Sequence, residues 1–376
     1  MIEPWEQWLK ETLGGMEKEN LFRIPKVTKH GSSQTLFSTN DYLGLSQHPS
    51  VVDAAVSCWQ SMGAGTRSSA LIAGRSEHHD LLEQDLALTK GAESCLLFPS
   101  GYAANIGLLS AVADQDVEIF SDAGNHASLI DGCRLARSRG AQVAVYDHLD
   151  FDGLQALLKR SQAPRKLIVT DSLFSMTGEI ADLPRLVDLA ETYGAALAID
   201  EAHASLIFGD QGGGIADRDG LSKRILFQTG TLSKAFGLLG GFVATTAEMK
   251  ALLFNRARSQ VFSTALPAPI AAAARVSMRL GAKASEPRRR LKGNLEFFAK
   301  ETGLRVDGPI IAINLGSPAR ATKASSKFEE LGMAVPAIRP PTVPENESRL
   351  RISLTASHTE SEILSLCRSL TDLGLI

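Results

Sequence analysis

Seven short apolar runs, with amphipathic stretches between several of them, constrain this chain more than any other feature. They read CLLF (95–98), EIFSD (118–122), QVAVYD (142–147), KLIVTD (166–171), AALAID (195–200), ILFQTG (225–230) and GFVATT (241–246). Continuous apolar runs of strand length lack the alternation of a half-solvated strand, so both of their faces need cover. Stretches such as DFDGLQALLKRSQ and DLPRLVDLAETYG have the helical spacing to supply it. The pattern predicts an α/β fold with a mostly parallel, seven-stranded sheet covered by helices. An opening helix, EPWEQWLKETLG, precedes a polar, irregular segment to about Ser38. After about residue 270 an Ala/Arg-rich helical stretch leads to IIAINLG (310–316), KFEELGMAV, RLRISLT (349–355) and a closing helix, which predicts a smaller α+β domain. The expected divisions are 1–45, 46–270 and 271–376. The Pro-rich AIRPPTVPENES (337–348) reads as an ordered loop.

Composition narrows the function classes. A chain of 376 residues can bury a large core, and 44% hydrophobic with 22% charged residues is ordinary for a soluble protein. A formal net charge of −3 gives no footing for nucleic acid or an anionic membrane. Cys58, Cys95, Cys133 and Cys367 lie far apart, which argues against a zinc cluster or disulfide framework and suits a reducing cytoplasm. The N-terminus MIEPWEQWLKETLGG has no apolar core of a signal peptide. The uncharged stretch 94–113 is long enough to span a bilayer, but Pro99, Ser100, Gly101 and Asn105 interrupt it. It reads as a buried strand, a turn and a buried helix.

In doubly wound folds chemistry gathers at the carboxyl ends of the strands. FPSGYAAN offers a strand that breaks at Ser100-Gly101 and a helix whose first amides point outward, an arrangement that takes phosphate. A plain strand-to-helix turn would look the same. His126, in SDAGNHASLIDG, follows the next strand end, where it reads as a structural histidine or as an imidazole stacked on a flat ligand. Asp200, in AIDEAH, ends an apolar strand, and His203 follows three residues on. A DEAH-type ATPase would need a GxxxxGK[ST] phosphate loop upstream, and the chain has none. A buried carboxylate needs a positive partner, and a protonated pyridine nitrogen is one. In TGTLSKAFG (229–237), Thr231 and Ser233 flank Lys234, whose amine either snorkels to water or is withheld from it to form a Schiff base. Arg351, in RLRISLT, is either a solvated arginine or a fork for a substrate carboxylate. Together these groups are what pyridoxal 5′-phosphate requires.

The chain resembles the α-oxoamine synthases, fold-type I pyridoxal-phosphate enzymes that condense an amino acid with an acyl thioester. The resemblance rests on STNDYLGLSQHP (38–49), LFPSGYAAN, NHASLIDG, TDSLFSMTGEIADL (170–183), IDEAH, GTLSKAFG and AIRPPTVPENESRLRISLTASH (337–358). The RPPTVP loop sets it with the members that serve biotin synthesis, rather than with glycine C-acetyltransferase or serine palmitoyltransferase. The resemblance implies L-alanine and a pimeloyl thioester, on coenzyme A or a carrier protein, as substrates. It implies that Lys234 forms the Schiff base and serves as the base, Asp200 bonds the pyridinium nitrogen, His203 reaches the ring 3′-oxygen and His126 stacks on the ring. Gly101, Tyr102 and Thr231 would line the cofactor and its phosphate, with Ser175 near the 3′-oxygen and Asn40 and Arg351 on the substrate. Thr264, in FSTALP, matches a residue that reaches the neighbouring subunit's phosphate, which implies a homodimer with its active site at the interface. These intact residues argue against a cofactor-free partner subunit. The chain departs from the pattern at Arg67 and Ser68, where glycines are common, at Ala70, where arginine is usual, and at Asp171, where glutamate is usual. It departs again at Ser205 and Leu206, a turn that is normally small.

Overall fold

Strand segments of this sequence carry apolar residues at consecutive positions, and the sheet they form is buried on both sides. In the computed structural model, which describes residues 2–25, 27, 33–282 and 285–376, the chain divides into two units. The expected irregular segment before Ser38 falls partly outside the described residues, at 26 and 28–32.

The larger unit holds residues 40–175 and 179–291. Its strands are β1 (Ser94–Phe98), β2 (Val117–Asp122), β3 (Gln142–Tyr146), β4 (Arg165–Asp171), β5 (Ala195–Asp200), β6 (Phe227–Thr231) and β7 (Gly241–Thr245). They lie in the order β1-β7-β6-β5-β4-β2-β3, with β7 antiparallel to both neighbours and the other pairs parallel. Successive residues of β4 and β5 go to opposite faces. Ile168 and Leu197 join Leu154, Leu186 and Phe120 on one side, whereas Val169 and Ala198 join Leu108, Leu129 and Val243 on the other. Burying each of the large side chains is worth roughly 1.5–3 kcal/mol, which fixes the central strands firmly. The expectation of strands buried throughout fails at β3, an edge strand whose Val145 is 59% exposed.

Stretch 94–113 is strand β1 and the helix Gly101–Val112. Among the described residues no helix is long and apolar enough to cross a membrane. The helix Ala268–Leu280 lies in this larger unit, packed through Ala273 against Val51 and Ala55 of the helix Pro49–Met62. Along the chain the units change over at 39/40, 175/176, 178/179 and 291/292.

The smaller unit holds residues up to Thr39, 176–178 and 292–376. An antiparallel sheet in the order Ala337–Ile338, Ser348–Ser353, Ile310–Gly316 is covered by the helices Pro318–Glu330 and Glu360–Asp372. Phe37, Phe328, Ile352 and Leu366 are fully buried in its core. The four cysteines are free and buried.

Candidate active site

Register places the site. Asp171 of β4 pairs with Asp200 of β5, and Asp200 with Thr229 of β6, so three strand ends deliver their next residues to one place. There His126, Asp200, His203, Thr231 and Lys234 line a cavity of about 250 Å³ with Gly101 and Tyr102. That is close to the lower end of small-molecule pockets, roughly 300–1,000 Å³. A larger depression of about 750 Å³ opens at the opposite strand ends, around Gly91, Leu197 and Arg224. Its Arg224 is committed to Asp188 and Glu191 in surface pairs, and no catalytic set converges there.

Lys234 does not snorkel. Its side chain is half-buried and its Nζ lies 2.7 Å from His203 Nε2. His203 is buried, and its Nδ1 lies 2.7 Å from the Tyr42 hydroxyl, which donates to Asn40 Oδ1 at 3.1 Å. Asn40 thus joins the cluster through Tyr42.

At the far wall Asp200 is clamped. Its Oδ2 accepts from Asn105 Nδ2 at 2.6 Å and its Oδ1 from the Ala202 amide at 2.8 Å. Beside it, burial first and the Asp200 charge second push the Asp171 carboxyl well above the usual carboxylate range. Asp171 Oδ1 and Asn105 Oδ1 are buried without a protein partner.

His126 caps the helix Ala127–Ser138, with its Nδ1 accepting from the Ser128 amide at 3.2 Å. Burial lowers its pKa, which favours the neutral ring. Ser100 caps the helix Gly101–Val112 by accepting from the Ala103 amide at 3.1 Å, which leaves the amides of Gly101 and Tyr102 to face an anion. A Cβ at 101 would sit tightly against Thr231 Cβ, at 3.0 Å, so a larger residue there would press on Thr231. Tyr102 is 43% exposed with its hydroxyl on Asp131. Thr231 Oγ1 donates to the Gly240 carbonyl at 2.8 Å and pairs with Ser233 Oγ at 2.8 Å.

Within the larger unit, Ser175 and Thr264 do not line this cavity. Ser175 is buried in the larger unit without lining it. Thr264 is exposed and bridges Ser69 across the chain. Arg351 is not a solvated arginine. It is buried in the smaller unit, on the strand paired with Ile310–Gly316, and donates to Ser353 Oγ at 2.9 Å.

Sequence reasoning missed Tyr42 and Asn105. Tyr42 stands in NDYLG, where an aromatic reads as core. Asn105 carried a usable signal, since it is the one amide side chain in the otherwise apolar or small GYAANIGLLSAV helix and it is 1% exposed. Two departures noted above share a backbone feature: Arg67 has φ +58° and Leu206 φ +64°, the left-handed region that favours glycine.

The aminotransferase class I and II family profile matches residues 32–370. The 8-amino-7-oxononanoate synthase of Arabidopsis thaliana is 42% identical over 351 residues, covering 89% of this chain and 74% of the relative. The enzyme named 8-amino-7-oxononanoate synthase 2 in Bacillus subtilis (strain 168) is 37% identical over 385 residues, covering 98% of both chains. Among solved structures, Sphingomonas wittichii serine palmitoyltransferase matches with TM-score 0.90 at 28% identity, covering 100% of this chain and 99% of the other. The 8-amino-7-oxononanoate synthase of Francisella tularensis matches with TM-score 0.76 at 27% identity, covering 91% and 98%. A serine palmitoyltransferase solved with pyridoxal phosphate also matches, with TM-score 0.89 at 28% identity over the whole of both chains.

Fold and cavity together define a pyridoxal-phosphate-dependent transferase of fold type I. Within that class the chain belongs to the 8-amino-7-oxononanoate synthase family, the α-oxoamine synthases of biotin synthesis. The residues present fit the cofactor: a primary amine, a clamped carboxylate, a neutral imidazole face and a helix N-terminus surround one cavity.

Proposed function

We propose that the chain condenses L-alanine with a pimeloyl thioester, giving 8-amino-7-oxononanoate, carbon dioxide and the free thiol of coenzyme A or a carrier protein. Alanine's Cα forms the new bond to the acyl carbon as the carbon–sulfur bond breaks, and the old bond to the carboxylate carbon breaks as carbon dioxide leaves. The observation that carries the reading is the inward-turned Lys234, 2.7 Å from His203 Nε2, in the same cavity as the clamped Asp200. Relatives of 37–42% identity, named 8-amino-7-oxononanoate synthase, support this product.

When bound, pyridoxal phosphate supplies a carbonyl carbon for amines and a ring that accepts the electrons released at Cα. In this reading Lys234 holds the cofactor and then takes and returns the Cα proton, with His203 beside it as acceptor and as partner of the 3′-oxygen. Asp200, held in place by Asn105, would bond the ring nitrogen. His126, on the cavity wall, would cover the ring face. Gly101 and Tyr102 give their amides to the phosphate, with Thr231 at their side. Asn40 and Arg351 hold alanine's carboxylate, and Ser175 lies near the reacting centre. In a homodimer Thr264, exposed on this chain, reaches the partner's phosphate. The setting is the cytoplasm, with no nucleic-acid or membrane partner.

A second reading is a sister synthase, favoured by the 0.90 TM-score to serine palmitoyltransferase. One experiment separates them. The visible band of the loaded protein is titrated with alanine, glycine and serine, each with and without pimeloyl-CoA. A response to alanine with thiol release only when pimeloyl-CoA is present is expected. A response to serine or glycine with another acyl-CoA instead assigns a sister synthase. Lys234→Ala is expected to fold and lose the band; a variant that still turned over alanine at the native rate would remove Lys234 from its role.

A further inference from the structure

Tyr42 is fully buried, and its one hydroxyl proton is already used. Asn40 Oδ1 can only accept, so the 3.1 Å contact is a donation from the phenol. The 2.7 Å contact with His203 must then run the other way, from Nδ1–H to the phenol oxygen. A neutral imidazole protonated on Nδ1 has its lone pair on Nε2, the atom that faces Lys234 Nζ at 2.7 Å. The polarity of the chain Asn40, Tyr42, His203, Lys234 is therefore set from its Asn40 end.

We infer that Tyr42 is a positioning residue that fixes His203 in the tautomer able to take a proton from Lys234. The inference rests on the reading of Lys234 as the amine that meets the cofactor. An ammonium has no lone pair to form that bond, so the proton must leave first. It passes from Nζ to His203 Nε2, leaving Lys234 a free amine and His203 an imidazolium. The two N–H groups of that imidazolium point at Lys234 and at Tyr42, so both remain hydrogen-bonded. The other titratable groups lining this cavity are Asp171, Asp200, His126 and Tyr102. Asn40, expected on the substrate's carboxylate, anchors the same chain, which ties substrate contact to the state of Lys234.

The variant Tyr42→Phe deletes one oxygen and keeps the ring. Cofactor-free native and variant proteins are mixed with pyridoxal phosphate, and the rise of the visible band is followed from pH 6.5 to above 10. The variant is expected to be roughly tenfold slower or more at pH 7, within the range of general acid–base assistance. It should converge on the native rate above about pH 10, where a lysine loses its proton unaided. Equal rates at pH 7, or a loss of the same factor at every pH, overturns the inference, the latter leaving Tyr42 a purely structural role. As a check that needs no variant to fold, the ¹⁵N spectrum of the native cofactor-free protein should show His203 protonated on Nδ1 and bare on Nε2. The opposite tautomer overturns it as well. A native protein that forms no band at all would instead remove the cofactor reading of Lys234, while the nitrogen spectrum still judges the role of Tyr42.

Discussion

Asn105 donates one amide hydrogen to Asp200 Oδ2 at 2.6 Å and another to Ser128 Oγ at 2.8 Å. The amide thus locks the carboxylate from a neighbouring helix. Asn105→Ala leaves Asp200 with the Ala202 amide as its remaining close protein donor. A hydrogen bond to a charged group is worth about 1.5–3 kcal/mol, so pyridoxal phosphate should bind roughly 10–100-fold more weakly. Absorbance titration of the variant measures this; native affinity would show that Asp200 needs no such lock.

His148 bonds two carboxylates, Asp122 through Nδ1 at 2.8 Å and Glu179 through Nε2 at 3.1 Å. Both nitrogens can donate only in the imidazolium. Burial opposes that charge and the two acids favour it, with a net upward shift of its pKa. A folded pKa above the unfolded one gives stability that is complete below about pH 6.5 and is lost as pH rises through the raised value. His148→Gln should therefore cost roughly 1 kcal/mol at pH 6, given the partial exposure of the pair, and little by pH 9. Denaturant unfolding at the two pH values tests it, and an equal cost at both would assign His148 a packing role alone.

Arg67 and Leu206 share a left-handed backbone yet should answer glycine oppositely. Arg67 is exposed, so Arg67→Gly relieves a conformational cost of about 1 kcal/mol and removes no core; the variant should be as stable as the native protein or slightly more so. Leu206 is 1% exposed, and losing its side chain should cost roughly 2–4 kcal/mol, more than the relief. Thermal unfolding of both variants reads the sign directly.

Ser205, the other departure at that turn, accepts from the buried Lys90 Nζ at 2.9 Å, beside the Gly213 carbonyl at 2.6 Å. Ser205→Ala strips a buried amine of one acceptor, and a loss of about 1–3 kcal/mol is expected in denaturant unfolding. An unchanged midpoint would mean that Lys90 finds another partner.

The sheet was legible because each run from β1 to β7 is apolar at consecutive positions, and Asp200 because a carboxylate ending such a run needs a counterpart. Strand order was not, since periodicity does not record that β7 lies antiparallel between β1 and β6. Tyr42 was hidden by its chemistry, because a buried phenol looks like core until its hydroxyl's partners are known. Backbone sign at Leu206 leaves no mark on composition. Thr264 was named only through resemblance, and its place on an exposed bridge to Ser69, away from any strand end, explains why strand-end logic could not supply its role.

Cys58, Cys95, Cys133 and Cys367 are each no more than 5% exposed, and burial raises all four thiols, those of Cys133 and Cys367 to about 11. Such thiols are inert toward reagents that need a thiolate. A disulfide dye added to the native enzyme should thus register only the thiol shed by the acyl donor. A protein silent toward the dye would let turnover of the proposed reaction be counted continuously without alkylating or mutating the chain.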